Sequence, residues 1–193
     1  MEVNVKPIKG NWDLGYSLDK HTKSSIYLGD NQWGHPEFDT TRSEPGEALY
    51  QLKYRSDFSQ VPIIGTQMHN SISPYFQSPG LVIPIPPSRE RHRQPVVEIA
   101  RDLAIRMGIP CHEDLLVKVK RTDQIKDKTD KSEKLDVLVN SMAVNDQLPP
   151  GQYNVLVVDD IYDSGATLEA ATTLLRNYSK IKNIYVSTVT RKN

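Results

Sequence analysis

Two regimes of hydrophobic patterning divide the chain near residue 70. From Leu81 onward, short apolar runs alternate with amphipathic stretches, the pattern of strands and crossover helices in a parallel α/β sheet. Leu81, Val82, Ile83, Pro84 and Ile85 read as a buried strand ending in the turn Pro86-Pro87-Ser88. A helix is predicted to open at Pro95, which suits a first helical position. It places Val96, Ile99, Leu103 and Met107 on one face and stops at Gly108. Residues 115–119 form the next strand, and the charged stretch that follows, near 120–130, is expected to be a mobile loop. Asp130 and Glu133 have capping-box spacing ahead of Leu135, Leu138 and Val139, so a helix restarts there. Val155 to Val158 is the strongest strand; it leads through residues 159–165 into a helix carrying Leu168, Ala171, Leu175 and Tyr178. Residues 184–189 close the sheet.

The first third, up to about Asn70, is rich in Gly, Pro, Asn, Asp and aromatics, and its periodicity is poor. Ser25-Ile26-Tyr27-Leu28 is a candidate strand, and residues 47–54 read as a short helix with Pro45 near its start and Leu49 and Leu52 on one side. The expected organisation is one domain over 1–193. An irregular N-terminal hood with a short helix occupies 1–70, and an α/β core occupies 71–193.

Composition changes this picture by exclusion. Of the 193 residues, 37% are hydrophobic and 25% charged, a balance that folds rather than staying disordered. Lys and Arg number 24 against 24 Asp and Glu, so no global field draws in nucleic acid or an anionic membrane, and anion binding must be local. The single cysteine, Cys111, excludes an internal disulfide and a thiolate zinc site, and suits a reducing cytoplasm. No stretch approaches the ~20 apolar residues of a membrane span, and residues 1–10 lack the apolar centre of a secretory signal. A soluble cytoplasmic protein is therefore expected. His21, His35, His69 and His112 show no metal-ligand spacing.

Chemistry concentrates in residues 155–168. A strand delivers Asp159 and Asp160 to the carboxyl edge of the sheet, where ligands of open α/β folds bind. Ser164, Gly165, Ala166 and Thr167 then open a helix, supplying hydroxyls, close backbone approach and free N–H groups, the parts of a phosphate cradle. The Walker spacing and its lysine are missing. Carboxylates repel phosphate but accept well from vicinal hydroxyls, so the acid pair beside the cradle points to a phosphorylated ribose. Taken singly, each residue has a plainer role: Asp159 and Asp160 end a strand, and Asp163 or Ser164 caps a helix. Capping explains neither the acidic pair nor the Ser-Gly-Ala-Thr run.

This stretch resembles the 5-phosphoribosyl 1-pyrophosphate (PRPP) motif of type I phosphoribosyltransferases: an apolar strand, two acids, two mostly apolar residues, then Thr/Asp-Thr/Ser-Gly-x-Thr. Over roughly residues 47–191 the chain is most similar to the ComF-type branch, through Leu52-Lys53-Tyr54-Arg55, Pro84-Ile85-Pro86, and Arg121-Thr122 with Gln124. The resemblance implies that Asp159 and Asp160 hold the ribose hydroxyls, residues 163–167 hold the 5-phosphate, and Pro87, Ser88 and Arg89 hold the pyrophosphate. Lys120 and Arg121 would belong to the flexible loop. It also implies Mg²⁺ as cofactor, carried mainly by the ligand and touched at most by Asp159 and Asp160, with transfer of phosphoribose to a nitrogen nucleophile, nucleobase or amine, as part of nucleotide metabolism. A homodimer is expected. A non-catalytic PRPP-binding regulator, or a ComF-like accessory protein of competence and DNA processing, is the alternative on the same fold.

Two features depart from the ComF pattern. The N-terminal cysteine zinc module is absent, and Arg91-His92-Arg93-Gln94-Pro95 replaces the usual Arg-Gly-Phe-Asn-Gln. Asp163 stands where ComF proteins commonly have threonine; hypoxanthine-type enzymes have aspartate there, used as a proton acceptor near the base, which makes Asp163 the candidate catalytic residue. Arg89, Arg91, His92 and Arg93 would neutralise a leaving pyrophosphate or else form a solvated turn. Lys118, Lys120, Arg121 and Lys126 border the expected lid. Trp12, Tyr27, Trp33 and Phe38 lie where an acceptor-binding hood would be, with core packing the plainer role for most of them.

Overall fold

The computed structural model describes residues 1–89, 91–119 and 131–192, with the side chains of 131–134 excepted. A five-stranded sheet runs β1-β2-β9-β8-β5. Its strands are β1 (Lys6–Pro7), β2 (Leu14–Lys20), β5 (Leu81–Pro84), β8 (Tyr153–Tyr162) and β9 (Ile181–Arg191). β5, β8, β9 and β2 are mutually parallel, and only β1 is antiparallel, on the edge. Helices cover both faces, so the architecture is α/β with a mostly parallel sheet.

Side-chain alternation explains why the central strands are apolar throughout. Leu81, Ile83, Val155, Val157, Ile184 and Val186 pack on one face with α5 (Ala166–Arg176), while Val82, Leu156, Val158, Tyr185 and Val189 pack on the other. That second face is covered by α1 (Glu44–Tyr54), α2 (Gln60–Ser71) and α3 (Pro95–Met107). α3 starts and stops where its signals place it, with Pro95 in the first turn and Gly108 ending it in the left-handed region at φ 67°. α4 (Lys131–Val139) and a small antiparallel pair, β6 (Leu116–Lys118) with β7 (Met142–Val144), flank the α5 side.

The first third carries more regular structure than its periodicity suggests, and it does not separate from the core at residue 70. β2 pairs with β9 inside the main sheet, and Leu18, Leu49, Leu52, Ile64 and Met68 are buried among the core residues of the second face. α1 begins at Glu44 rather than Glu47 because Ser43 caps it, its Oγ accepting the Gly46 N–H at 3.0 Å. β3 (Thr22–Asp30) and β4 (Pro36–Arg42) form an antiparallel hairpin with hardly any buried surface. Core packing accordingly holds for Trp12, 8% exposed, and fails for Tyr27, Trp33 and Phe38, which are 55%, 71% and 53% exposed. At the base of the hairpin, Ser43 N–H donates to the His21 carbonyl at 3.4 Å and Ser43 Oγ to the Lys20 carbonyl.

The expected mobile loop near 120–130, with Lys120, Arg121, Lys126 and Lys128, lies outside the described residues, as does the Asp130 end of the α4 capping box. Among the described residues no helix is long and apolar enough to cross a membrane.

Candidate functional site

β8 runs through both acids before it ends, because its ladder to β9 continues past Val158 to pair Asp159 with Thr188. Alternation sets Asp159 on the α5 side, in line with Val155 and Val157, and Asp160 on the side of α1. Asp159 is 9% exposed and its Oδ1 accepts the Asp160 N–H at 2.8 Å. Asp160 Oδ2 pairs with Lys53 Nζ at 2.5 Å. Burial, and next the charge of Asp160, push the Asp159 carboxyl up to about 8, against the opposing pull of that N–H and of Lys53. A protonated Asp159 both donates and accepts, which suits a sugar diol.

The turn after β8 is built around Gly165. Its φ of +81° lies in the left-handed region, and a Cβ there would stand 2.9 Å from the Tyr162 ring, so glycine is required by conformation and by space. α5 then opens without a side-chain cap, apart from Ser164 Oγ accepting the Ala166 N–H at a long 3.4 Å. Its first-turn amides, which have no intrahelical partner by construction, edge a hollow of about 50 Å³ lined by residues 163–167 together with Asp159. Asp163, whose plainer reading is a helix cap, instead pairs with Lys192 Nζ at 2.5 Å, both side chains more than half exposed.

A cleft of about 280 Å³ adjoins the hollow and shares Asp159, Ile161 and Thr167 with it. Its far wall is the turn carrying Pro87, Ser88 and Arg89, with Lys53 and Arg91. Ile85 N–H donates to the Val158 carbonyl at 2.9 Å, so this turn leaves the sheet beside the acid pair. Gln94 Nε2 donates to the carbonyls of Arg89 at 3.1 Å and Arg91 at 3.3 Å, and Arg91 Nη1 to the Lys53 carbonyl at 3.2 Å. Arg93 turns away, bonded to Glu98 at 2.9 Å and stacked 3.8 Å over Phe58. His92 lines a neighbouring pocket with Phe58 and Arg93.

The structure therefore brings Pro87, Ser88, Arg89, Asp159, Asp160 and Thr167 to one cleft, and Asp163, Ser164, Gly165 and Ala166 to the adjoining hollow. No residue of 1–45 lines the cleft as described. Lys53 is the residue sequence reasoning missed as a site group. The available signals were the place of Lys53 in the Leu52-Lys53-Tyr54-Arg55 segment and the apolar pair Leu49 and Leu52, which fixes the helix against the sheet and brings its last turn to the cleft. His21 is also at this edge, its Nδ1 3.2 Å from Thr190 Oγ1; burial and then Arg42 and Lys53 lower its pKa. Among the described residues no three His, Cys, Asp or Glu groups converge as a metal set.

Residues 96–191 match the family model described as the phosphoribosyl transferase domain. Among curated proteins none matches the chain. Solved structures to which it is similar include adenine phosphoribosyltransferase from Leishmania tarentolae, at 10% identity and TM-score 0.48, covering 98% of this chain and 95% of that one. Orotate phosphoribosyltransferase from Aeropyrum pernix is 16% identical with TM-score 0.39, covering 83% and 74%. Leishmania donovani UMP synthase is 12% identical with TM-score 0.42; 83% of this chain is covered, but only 27% of that larger protein.

Proposed function

We propose, on the premise that residues 96–191 are a phosphoribosyl transferase domain, that the protein transfers phosphoribose from PRPP to a nitrogen nucleophile and releases pyrophosphate. The observation that carries this reading is the sharing of Asp159, Ile161 and Thr167 between hollow and cleft. That continuity suits a ligand with an anion at each end and a diol between them: amides at one end, Arg89 and Arg91 at the other, carboxyl groups at the seam.

In this reading the first turn of α5, with Ser164 and Thr167, binds the 5-phosphate; Asp159 and Asp160 orient the ribose; and Ser88 and Arg89 bind the pyrophosphate. The acceptor nitrogen bonds to C1 of the ribose as the C1–O bond breaks, and pyrophosphate leaves with the electron pair. A proton on that nitrogen passes to Asp163, the carboxylate at the mouth of the hollow, once Lys192 releases it. Positioning and charge stabilisation of the leaving group supply the rate. Mg²⁺ would be carried by the ligand, with Asp159 or Asp160 as the residues that would reach it. When bound it neutralises pyrophosphate charge.

The test is to incubate the protein with PRPP, Mg²⁺ and a panel of nucleobases, ammonia and amines while following pyrophosphate. Release that depends on one acceptor is expected. With that acceptor, D163N should lose about 100-fold in turnover while keeping PRPP affinity; normal turnover would remove Asp163 from the chemistry and favour ammonia or an amine as acceptor. Failure to bind PRPP at all would overturn the reading.

A further inference from the structure

Lys53 lies outside the matched domain, on a helix of the first third, yet its ammonium is inside the cleft. We propose that Lys53 is a movable counter-ion: without ligand it neutralises Asp160, and on ligand binding it transfers to the pyrophosphate group and stays with it as that group departs. The proposal rests on the phosphoribosyl-transfer reading above.

Three observations carry it. First, the ion pair engages the carboxylate that the reading above assigns to the ribose. Lys53 Nζ is 2.5 Å from Asp160 Oδ2, with side chains only 20% and 16% exposed, so a hydroxyl that bonds to this carboxylate competes with the ammonium for it.

Second, the displaced ammonium has a destination. Lys53 shares the cleft with Ser88, Arg89 and Arg91, the wall assigned to pyrophosphate, and a cation left without an anion in a shielded cleft would be costly. Third, the geometry separates pivot from charge. The backbone of Lys53 is held by the Arg91 bond to its carbonyl at 3.2 Å and by the burial of Leu52 beside it, whereas the flexible four-carbon stem leaves the ammonium free to turn. The electrostatic logic is consistent. A pyrophosphate approaching the Asp160 carboxylate meets repulsion, and a cation that turns from that carboxylate to the ligand offsets it at the moment the sugar hydroxyls take over Asp160.

Calorimetry on the full chain with two separate probes, inorganic pyrophosphate without Mg²⁺ and ribose 5-phosphate, distinguishes this from a fixed structural pair. K53M is expected to weaken pyrophosphate about tenfold or more and to leave ribose 5-phosphate unchanged or tighter. K53R should keep pyrophosphate binding to within about threefold. D160N should do the reverse of K53M, tightening pyrophosphate because the ammonium is released, and weakening ribose 5-phosphate. Equal losses for both probes in K53M, unchanged pyrophosphate affinity in K53M, or pyrophosphate no tighter in D160N would each overturn the counter-ion role. If K53M does not fold, D160N and K53R decide. If the unaltered protein binds neither probe, the phosphoribosyl-transfer reading itself falls, which is a different failure from the ones above.

Discussion

On one side of the cleft, strand, turn and helix follow each other directly: Asp159, Asp160, Gly165 and Thr167 lie within a single β8–α5 unit. On the other side, Lys53 comes from α1, Ser88 and Arg89 from the turn after β5, and Arg91 from the approach to α3. The first wall is shaped by backbone, through a left-handed glycine packed under Tyr162 and amides with fixed directions. The second is shaped by side chains, through Gln94 on two carbonyls, Arg91 on a third, and one ion pair. A backbone-built wall is preformed, and any change to it is felt by every ligand that shares that wall. A wall assembled from side chains yields piece by piece, and each piece affects only the group it faces.

The largest effect should come from the backbone wall. G165V forces a Cβ against Tyr162 in a conformation that valine avoids, and it should weaken ribose 5-phosphate and PRPP together by about 100-fold or more. Calorimetry that found only one ligand affected would break the comparison. A smaller, selective effect is expected at the other wall. R89A should weaken PRPP by about tenfold and leave ribose 5-phosphate nearly untouched, since only PRPP carries the pyrophosphate. Equal losses would show that Arg89 does not face that group.

The last effect, on stability rather than affinity, concerns the seam between the walls. The Asp159 carboxyl, ordinarily near 3.8, stands at about 8 in the fold, chiefly through burial. Between these values the folded chain holds a proton that the unfolded chain has lost, so this group's stabilising contribution is present below about pH 4 and declines as pH rises towards 8. D159N removes the titration. Melting curves between pH 5 and 8.5 should fall more steeply for the unaltered protein than for D159N, by about 2–4 °C for each kcal/mol of the pH-linked loss. Parallel curves would mean that Asp159 is already charged in the fold.

How much was legible before the structure follows the same division. The β8–α5 wall could be read because its residues are adjacent in the chain and its turn and helix start are set by local geometry. The extent of β8 could not: Asp159 to Tyr162 look like the end of a strand, and only their ladder to Thr188, Thr190 and Arg191 keeps them in the sheet. α2 has Val61, Ile64 and Met68 at helical spacing, but Pro62, Gly65 and an uncapped start obscure it. The hairpin of β3 and β4 has both faces exposed, so it shows no alternation to read. Lys53 was visible as a residue but not as a site group, because its approach to Asp160, 107 positions away, is a product of packing alone.

The hairpin has a topological consequence. The chain leaves the fold at Lys20 and His21 and returns at Ser43, where hydrogen bonds from Ser43 to both carbonyls tie departure to return. Residues 22–42 thus leave and re-enter the core at neighbouring points and enclose none of its strands, and near that base Lys23 pairs with Glu2 at 3.9 Å and Arg42 with Glu47 at 3.2 Å. Length and composition between those two points can drift at little more than the slowly growing entropy of closing a longer loop. The exposed Ile26, Leu28, Trp33 and Phe38 therefore sit on a cassette that can be exchanged while the sheet and cleft keep their form.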